Sequence, residues 1–411
     1  MKVAIVGGGA AGMMAAAALA EAGGVEVFVI EKNAVLGRKV VISGGGRCNT
    51  TTGLRDVRKV LECYPRGGKF LNSAMNNFPP EKVYEWFESQ GVPLKVEKDL
   101  RVFPVSNDGH DIVGVFERIF SERGVNVLLR HSVESIEHLN NKFVLKFKDG
   151  LQIDFDAVVL TTGGQAYRFT GSSGEGYAFA EALGHTITKL APSLNSFITE
   201  EQWPKNLAGV SIPKATFRSG KAKYTGPFIF THKGVSGPAV FALSSLVAFE
   251  DYGKNKPLEV FIDLIPDTGF GEFEKEFLAE VAENPKKNFS NSASEFMPKS
   301  LAKEALINLG IEDKKNAEVS KKDLNRMVFW IKNVPLKVVE RGAGDEFVTA
   351  GGVELKEVDS KTMESKICPG LYFAGEILDI DGFTGGFNLQ ASWATGRLAG
   401  ESIIQTSRSQ V

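Results

Sequence analysis

The chain has 411 residues, and its 48 lysine and arginine residues against 50 aspartate and glutamate residues give a net charge of −2. This near-neutral balance argues against a nucleic-acid partner or an anionic membrane, and no apolar run is long enough to cross a bilayer. The 3 cysteines, Cys48, Cys63 and Cys368, contain no C-x-x-C pair, so they predict neither a disulfide framework nor a metal site. Without a clear signal segment, we expect a cytoplasmic protein of about two or three domains, whose oligomeric state the sequence leaves open.

The first 31 residues carry the strongest motif of the chain. An apolar run at residues 3–6 is followed by GGGAAG at residues 7–12, an alanine-rich helical segment and a second apolar run that ends on Glu31. This order of strand, G-x-G-x-x-G, helix, strand and acid is typical of a dinucleotide-binding βαβ unit. A secretory signal is the alternative interpretation, because Lys2 precedes an apolar run, but the glycines and Glu31 in register argue against it.

The glycine spacing assigns a role to each position of this first loop. Gly7 allows a tight turn, Gly9 lets the backbone approach a pyrophosphate, and Gly12 lets the helix pack closely on the sheet. The N–H groups near Ala10 and Ala11 would then face the phosphates at the positive end of the helix dipole.

Glu31 determines which nucleotide we expect at this site. Its carboxylate can accept hydrogen bonds from both hydroxyls of an adenosine ribose, and its charge repels a 2′-phosphate. The motif therefore favours FAD or NAD over NADP.

A second glycine-rich stretch follows at residues 37–49. Three consecutive glycines between cationic residues predict a flexible, donor-rich loop for another anionic or planar part of the ligand. The alternative is an ordinary glycine turn with solvated cations, but the nearness of the first loop favours ligand contact. The ligand-binding residues predicted in and near this stretch are Lys32, Arg38, Lys39, Ser43, Gly44, Gly45, Gly46, Arg47, Cys48 and Asn49.

The rest of the first 190 residues alternates helical and strand patterns. Residues 66–91 look helical, and Asp108 can cap a helix that runs to Arg123, with Gly124 just beyond its end. Strand-like runs cover residues 125–129, 143–147 and 151–155. A further buried run at residues 156–160 leads to Thr161, Thr162, Gly163 and Gly164, as a parallel strand does where it meets a ligand.

The composition changes near residue 190, which predicts an inserted domain over residues 191–345. Residues 191–265 carry short strand-like runs, and residues 270–332 carry three amphipathic helical patterns. We therefore divide the insert into a β-rich part, 191–265 with 333–345, and a helical part, 266–332. Its lysine pairs are interpreted as solvated surface.

The last segment, residues 346–411, returns to strands that end in glycine. A strand ends in Gly375-Glu376, and Gly385-Gly386 precedes a helix of small residues from about Ala391 to Gly400. Bare N–H groups at such a helix start favour a partly negative group, for which the N1–C2=O edge of a reduced flavin is suitable. The cofactor-binding residues predicted in this segment are Gly375, Glu376, Asp381, Gly385, Gly386, Phe387, Asn388 and Leu389.

Together these stretches resemble the bacterial BaiN/RdsA family of NAD(P)/FAD-dependent oxidoreductases, also described as aminoacetone oxidase-like FAD-binding enzymes. The resemblance implies an α/β fold: a Rossmann-like FAD-binding domain with a mainly parallel sheet, built from both chain ends, plus an inserted β-barrel-like and small helical domain. The matching stretches are GGGAAG at 7–12, GRKVVISGGGRCNTT at 37–51, TTGGQAYRFTGSSGEGYAFA at 161–180, FTHKGVSGP at 230–238, TAGGVELKEVD at 349–359 and SKICPGLYFAGEILDIDGFTGGFNLQASWATG at 365–396.

The resemblance to the wider glutathione-reductase-like superfamily also implies how FAD is divided among these stretches. The first loop and Glu31 would hold the ADP half, and Val133 would give main-chain contacts to adenine. The ribityl chain and the isoalloxazine would lie on residues 43–49, 163–164, 375–376 and 385–391. Gly45 stands where family members commonly have Lys or Thr, a departure that affects the stiffness of the loop.

The sequence offers fewer candidates for catalytic residues than for cofactor-binding residues. His232, in the insert, can serve as an acid or as a structural histidine, and Cys48 as a redox thiol, although it has no partner cysteine. No second dinucleotide motif is present, so NAD(P)H would bind only transiently and reduce the flavin. The reduced flavin would then pass a hydride to a small-molecule substrate. Two alternatives stay open: an FAD oxidase of a small amine that uses oxygen, and a non-catalytic flavin-binding redox module.

Overall fold

The computed structural model describes residues 1–342 and 347–409. The chain divides into two compact units, one formed by Met1–Pro192 with Phe347–Val411 and the other by Ser193–Glu346. Among the described residues, no helix is both long enough and apolar enough to span a membrane.

The strands, in chain order, have the following bounds: β1 (Lys2–Val6), β2 (Glu26–Glu31), β3 (Thr51–Thr52), β4 (Leu94–Val96), β5 (Arg101–Pro104), β6 (Asn126–Leu129), β7 (Val133–Leu139), β8 (Lys142–Phe147), β9 (Gln152–Phe155), β10 (Ala157–Leu160), β11 (Ala191–Ser193), β12 (Phe197–Thr199), β13 (Ser211–Ser219), β14 (Ala222–Thr231), β15 (Gly234–Ser236), β16 (Leu258–Asp263), β17 (Val334–Arg341), β18 (Val348–Ala350) and β19 (Leu371–Phe373).

The α-helices have these bounds: α1 (Ala10–Ala22), α2 (Arg38–Ile42), α3 (Val57–Leu61), α4 (Asn72–Asn77), α5 (Pro80–Ser89), α6 (Gly109–Arg123), α7 (Glu175–Ala182), α8 (Pro238–Leu246), α9 (Phe270–Glu283), α10 (Phe289–Ala293), α11 (Lys299–Leu309), α12 (Lys321–Lys332) and α13 (Phe387–Ser409).

A parallel five-stranded sheet organises the first unit, in the order β19-β10-β1-β2-β6. Its central strand β1 pairs in parallel with β10 and β2, and β10 pairs in parallel with β19 from the end of the chain. All four residues of β10 are buried, as expected for a strand covered on both faces. The predicted Rossmann-like fold built from both chain ends is confirmed.

Helix α13 packs against α1 through small residues. A Cβ atom on Gly396 would lie 2.3 Å from the carbonyl oxygen of Ala11, and one on Gly400 would lie 2.7 Å from that of Ala15. The two helix backbones therefore approach closely. This packing explains why α13 continues to Ser409 and does not end near Gly400 as predicted: both glycines serve close packing and neither terminates the helix.

Local capping signals in the first unit are confirmed, but one predicted helix is divided. The Asp108 carboxylate accepts a hydrogen bond of 2.9 Å from the His110 N–H at the start of α6, and Gly124 ends that helix in the left-handed region. The helical segment predicted over residues 66–91 forms two helices, α4 and α5. Its Pro79 takes the N-cap position of α5, because a proline cannot continue the preceding helix.

The second unit contains a closed barrel in the strand order β12-β15-β14-β13-β16-β17. Alternate residues of its strands point inward and fill the interior, as Phe217, Phe228 and Ile262 do. The predicted barrel-like insert is confirmed.

Helices α9, α11 and α12 follow the three predicted helical patterns of the second unit. The Ser320 hydroxyl accepts a hydrogen bond of 3.1 Å from the Asp323 N–H and caps α12, as the sequence indicated. Helices α8 and α10 were not predicted. α8 begins with Pro238 directly after Gly237, and α10 has only 5 residues, too few for a periodic pattern.

Candidate functional site

The first loop joins β1 to α1, and its glycines have two different environments. A Cβ atom on Gly12 would lie 2.0 Å from the Gly7 carbonyl oxygen, and one on Gly7, where φ is +111°, would lie 2.6 Å from the Thr161 oxygen. A Cβ atom on Gly9 would meet nothing within 4 Å. Gly7 and Gly12 are thus required by the packing of the protein, whereas Gly9 faces open space at the start of α1.

Helix α1 begins at Ala10, directly after Gly9. The first N–H groups of a helix have no acceptor inside the helix, so Ala10 and Ala11 present donors beside the space that Gly9 leaves open. This arrangement can hold an anionic group such as a pyrophosphate.

Glu31, at the end of β2, holds this loop in place. Its carboxylate accepts hydrogen bonds of 2.8 Å from the Gly8 N–H, 2.8 Å from the Asn33 N–H and 2.7 Å from the Asn33 side chain. Sequence reasoning missed both Gly8 and Asn33. Their only signals were the middle glycine of GGG and an amide two residues after the acid.

The second stretch is more ordered than the flexible loop we predicted, because Arg38–Ile42 forms the short helix α2. The Lys39 ammonium lies 2.7 Å from the Glu376 carboxylate, and the Arg38 guanidinium donates to the Asn33 side chain at 3.0 Å. Cβ atoms on Gly45 and Gly46 would again meet nothing within 4 Å. α2 therefore connects the first loop to the Gly375-Glu376 turn.

Several predicted ligand-binding side chains in this region already have protein partners. The Arg47 guanidinium donates to Glu97 at 2.8 Å and lies 3.8 Å from the centre of the Phe103 ring. The Lys32 ammonium lies 2.7 Å from Glu175. Other contacts hold the loop itself: Gly44 lies against the Phe103 ring, the Ser43 hydroxyl donates to Val40, and the Asn49 side chain accepts from Val102.

Cys48 is fully buried, with φ of +58°, and the Thr50 hydroxyl lies 3.8 Å from its sulfur. Burial raises the pKa of the Cys48 thiol to about 11, against the weaker lowering effect of the Ser43 and Thr50 hydroxyls. The thiol therefore stays protonated at neutral pH and supplies no thiolate nucleophile. These surroundings argue against the predicted redox role and for a packing role.

The loop after β10 meets the end of β19. A Cβ atom on Gly164 would lie 2.5 Å from the Thr349 hydroxyl and 3.0 Å from the Glu376 carboxylate. The Thr349 N–H in turn donates to Glu376 at 2.9 Å. The structure thus brings together Thr162, Gly163 and Gly164 with Gly375 and Glu376, and adds Thr349, which sequence reasoning missed.

The start of α13 is held in the same region. A Cβ atom on Gly386, where φ is +90°, would lie 2.2 Å from the Thr51 oxygen. The Asn388 side chain makes two hydrogen bonds of 2.8 Å to the backbone of Gly382, and so closes the loop before the helix. Gly385 and Gly386 therefore form a tight turn into the first N–H groups of α13, while Leu389 is partly buried against the core.

Asp381 stabilises the loop that precedes α13. Its side chain is fully buried in a two-bond ion pair with Arg66, and the Phe387 carbonyl accepts a hydrogen bond of 2.7 Å from the Tyr64 hydroxyl. The Asp381 side chain therefore supports the loop that would bind the ligand, and its predicted contact with the ligand stays a prediction. The Arg66 partner was missed because 315 residues separate it from Asp381.

Two further predicted residues belong to other parts of the chain. Val133 begins β7, and the preceding segment joins the first loop through hydrogen bonds from Arg130 N–H to Asn33 and from His131 N–H to Glu31. His232 belongs to the second unit and is exposed in the turn between β14 and β15. Its role as an acid stays a prediction.

The residues of the first unit fit an FAD molecule. Cβ atoms on Gly9, Gly45 and Gly46 would meet no described residue beyond their chain neighbours within 4 Å, so the backbone there is open to a ligand. The helices α1 and α13 each begin directly after a glycine, where the first N–H groups of a helix have no acceptor within it, and Glu31 ends the strand at which ribose recognition is expected.

Comparisons with known proteins agree with this arrangement. The HI0933-like protein Rossmann domain family matches residues 1–402. The chain is 30% identical to the 3-dehydro-bile acid delta(4,6)-reductase of Clostridium scindens over 98% of its own length and 99% of the relative. It is 32% identical to the ribosomal RNA dihydrouridine synthase of Haemophilus influenzae over 97% of each chain.

Among solved structures, the chain is similar to the 3-ketosteroid-delta4-(5alpha)-dehydrogenase of Rhodococcus jostii RHA1. The TM-score is 0.52 at 15% sequence identity, with 97% of this chain and 96% of that chain covered. At this identity the likeness is one of fold.

Proposed function

We propose a function from one premise: the chain belongs to the HI0933-like Rossmann family, that is, to the BaiN/RdsA family of FAD-dependent oxidoreductases. We propose that it moves a hydride from NAD(P)H, by way of FAD, to a small organic substrate. The bond reduced is a carbon–carbon double bond conjugated to a carbonyl group.

One observation carries this proposal: two full-length relatives with different substrates share one type of reaction. The first is named a delta(4,6)-reductase of a 3-dehydro bile acid, and the second forms dihydrouridine. Both names describe the addition of two hydrogens to a carbon–carbon double bond conjugated to a carbonyl group. Their reaction type, more than either substrate, supports the same chemistry in this chain.

The first unit offers distinct residues for each part of FAD, which when bound supplies a reversible two-electron carrier. The N–H groups of Ala10 and Ala11 would hold the pyrophosphate, because they border the space at Gly9. Glu31 would orient the ribose and keep the first loop in place through Gly8.

The residues around Glu376 would hold the other end of the cofactor. The Thr349 N–H and the Lys39 ammonium hold the Glu376 carboxylate, and Gly164 has no side chain that would crowd it. The N-terminus of α13, behind Gly386, would stabilise negative charge that develops during reduction.

Reduction of the double bond by NAD(P)H consumes one proton together with the hydride. Because the sequence contains only one dinucleotide-binding motif, the nicotinamide donor and the substrate would use the same approach to the cofactor in turn. Sharing of one approach predicts ping-pong kinetics.

An anaerobic reduction experiment tests the proposal. The FAD-loaded protein is mixed with NADH, NADPH or a primary amine, and loss of the flavin absorbance is followed. We expect a nicotinamide to bleach the flavin and a conjugated enone to restore its colour. Bleaching by the amine alone, with peroxide formed in air, would establish the oxidase alternative, and a protein reduced by neither would be a flavin-binding module.

The His232→Ala variant tests the predicted acid in the same assay. If His232 protonates the product, turnover should fall about 100-fold while reduction of the flavin stays fast. Equal loss of both half-reactions would indicate structural damage instead.

Uridine in ribosomal RNA is a second candidate substrate, favoured by the 32% identity to a ribosomal RNA dihydrouridine synthase along 97% of both chains. It would require a nucleic-acid partner, contrary to what the net charge of −2 leads us to expect. Incubation with protein-free ribosomal RNA, free uridine or a small enone, followed by mass spectrometry, separates the two candidates. A ribosomal substrate would also agree with the cytoplasmic location we propose.

A further inference from the structure

Four buried side-chain polar atoms of the first unit have no hydrogen-bond partner among the described residues. One is Nδ1 of His185, which lies 3.3 Å from the Glu357 carboxylate. The other three are the Thr162 hydroxyl, the Tyr177 hydroxyl and Oδ1 of Asp379. Leaving such a group unsatisfied costs about 1–3 kcal/mol, and ordered water is the usual partner of buried polar atoms that the protein does not satisfy. The three atoms therefore indicate a site for a polar ligand of the size of water.

The residues that carry these three atoms lie near the Gly375–Ile377 turn. A Cβ atom on Gly176 would lie 1.8 Å from the Thr162 hydroxyl oxygen and 3.0 Å from the Ile377 side chain. Tyr177 follows Gly176 in α7. Burial raises the pKa of the Tyr177 hydroxyl, and the nearby charges of Glu376 and Asp379 raise it further.

Asp379 is the ionisable group of this cluster. Burial is the largest cause that raises the pKa of its carboxyl above the usual range, and the charges of Asp381 and Glu354 act in the same direction. The charge of Arg66 and a hydrogen bond from Thr188 oppose this shift. Asp379 therefore takes up a proton more readily than a surface aspartate does.

We propose that Thr162, Tyr177 and Asp379 enclose an ordered water behind the Gly375–Ile377 turn and relay the proton that the reaction consumes. This inference rests on the proposed function, which requires one proton for each hydride, and it names a source of that proton that is an alternative to His232. Asp379 gives up its proton to the water, the water passes one proton to one hydroxyl, and that hydroxyl passes one to the other. The last hydroxyl releases one proton to the substrate as the hydride arrives there, and solvent reprotonates Asp379. The relay thus transfers one proton without leaving a net charge on the water or the hydroxyls.

Thermal unfolding of the FAD-loaded protein tests whether the site holds water. Tyr64 is the matched control, because its buried hydroxyl donates to the Phe387 carbonyl at 2.7 Å. If water bonds to the Tyr177 hydroxyl, Tyr177→Phe should lower Tm by about 2–4 °C, as Tyr64→Phe should. A higher Tm for Tyr177→Phe would mean that the site is dry, and would overturn the proposal.

A titration of Asp379 tests the connection between the three residues without any turnover. Infrared spectra identify the carbonyl band of the protonated carboxyl as the one that Asp379→Asn removes. In Thr162→Val the midpoint of this band should move up by about 0.5–1 pH unit, because the carboxylate loses a donor linked through water. Thr170→Val is the control, because the Thr170 hydroxyl donates to the Tyr167 carbonyl and has no part in this cluster. Equal midpoints in the wild type and Thr162→Val would refute the shared water.

Rapid-reaction kinetics test the relay. Asp379→Asn should slow the product-forming half-reaction about tenfold and remove its pH dependence, while reduction of the flavin by NAD(P)H stays unchanged. An unchanged product-forming rate would overturn the relay. If no nicotinamide reduces the wild-type flavin, the proposed function fails and the relay with it, but the unfolding and infrared results still decide whether the water site exists.

Discussion

The two units use their glycines differently. In the first unit, a Cβ atom on Gly12 or Gly396 would lie 2.0 Å or 2.3 Å from a backbone oxygen, whereas in the second unit Gly253, Gly271 and Gly310 would meet nothing within 4 Å. The difference is one of frequency, because Gly234 of the barrel would place a Cβ atom 2.3 Å from the Phe197 oxygen, and Gly9, Gly45 and Gly46 of the first unit have open space. The first unit thus depends on close approach of backbones, and the second on apolar side chains that fill a barrel and pack helices.

The largest effect should come from Gly12→Ala. Its methyl group would lie 2.0 Å from the Gly7 oxygen, and neither backbone can move without opening the junction of β1 and α1. We expect the free energy of unfolding to fall by more than about 4 kcal/mol, measured by urea denaturation. Gly253→Ala in the second unit is the matched control, and an equal loss there would contradict the contrast between the units.

Breaking a buried ion pair should have the next largest effect. Asp381→Asn leaves Arg66 without its buried carboxylate, and we expect a loss of about 3–5 kcal/mol. In the second unit, the Asp263 side chain is 19% exposed, and its partner Lys332 also donates to two carbonyl oxygens. Asp263→Asn should therefore lower the free energy of unfolding by less than Asp381→Asn does. Urea unfolding of both variants measures the two losses, and a larger loss in Asp263→Asn would contradict this expectation.

Gly9→Val should affect the ligand without unfolding the protein, because a Cβ atom there would meet none of the described residues within 4 Å apart from its chain neighbours. We expect FAD affinity to fall by about 100-fold or more, which corresponds to roughly 2.7 kcal/mol. Fluorescence titration of the apoprotein measures this affinity. Unchanged FAD binding in a folded Gly9→Val protein would show that FAD does not bind at Gly9.

His185 should make the stability of the first unit depend on pH. Its ring lies 2.8 Å from the Ser365 hydroxyl and 3.3 Å from the Glu357 carboxylate, and burial lowers its pKa more strongly than Glu357 raises it. A lowered pKa in the folded state favours the neutral ring. Its contribution to stability is complete above the unfolded pKa of about 6.5 and is lost as the pH falls below that value.

Denaturation between about pH 7.5 and 5 measures this dependence. His185→Gln should flatten the curve, whereas His110→Gln, at a side chain that is 75% exposed, should leave it unchanged. If the His185→Gln variant still loses stability as the pH falls, another titrating group causes the pH dependence.

The smallest effect should be a gain from Gly271→Ala. Gly271 lies in the first turn of α9 with open space around it, so alanine should stabilise the helix by about 0.5 kcal/mol. Gly396→Ala makes the same change in α13, where it should destabilise the protein because the methyl group would meet the Ala11 oxygen. Urea denaturation measures the change in the free energy of unfolding for both variants. Changes of opposite sign would support the contrast between the two units, and changes of equal sign would contradict it.

Features that depend on neighbouring residues could be predicted from the sequence. The caps Asp108 and Ser320 act within 3 residues of their own positions, and the first loop carries its geometry in the glycine spacing. The assembly of Gly164 with Glu376 followed from strands that end in glycine, because parallel strands end at the same edge of a sheet.

Features that depend on distant partners could not be predicted in this way. Nothing near Asp381 indicates that Arg66 will bury and neutralise it, and nothing near Gly396 indicates that α1 will lie against it. The orphaned hydroxyls of Thr162 and Tyr177 likewise became visible only once the chain around them was folded. A sequence specifies such pairs only through the completed fold.

The position of β19 and α13 has a consequence for the order in which the protein is made. The ribosome releases β1, β2, β6 and β10 early, but the strand that covers the edge of β10 and the helix that covers α1 come last. About 200 residues separate β10 from β19, and translation at roughly 5–20 residues per second takes about 10–40 s to cross them. Throughout that interval the nascent chain carries an uncovered strand edge and an alanine-rich helix face, which makes it a substrate for chaperones until its final segment emerges.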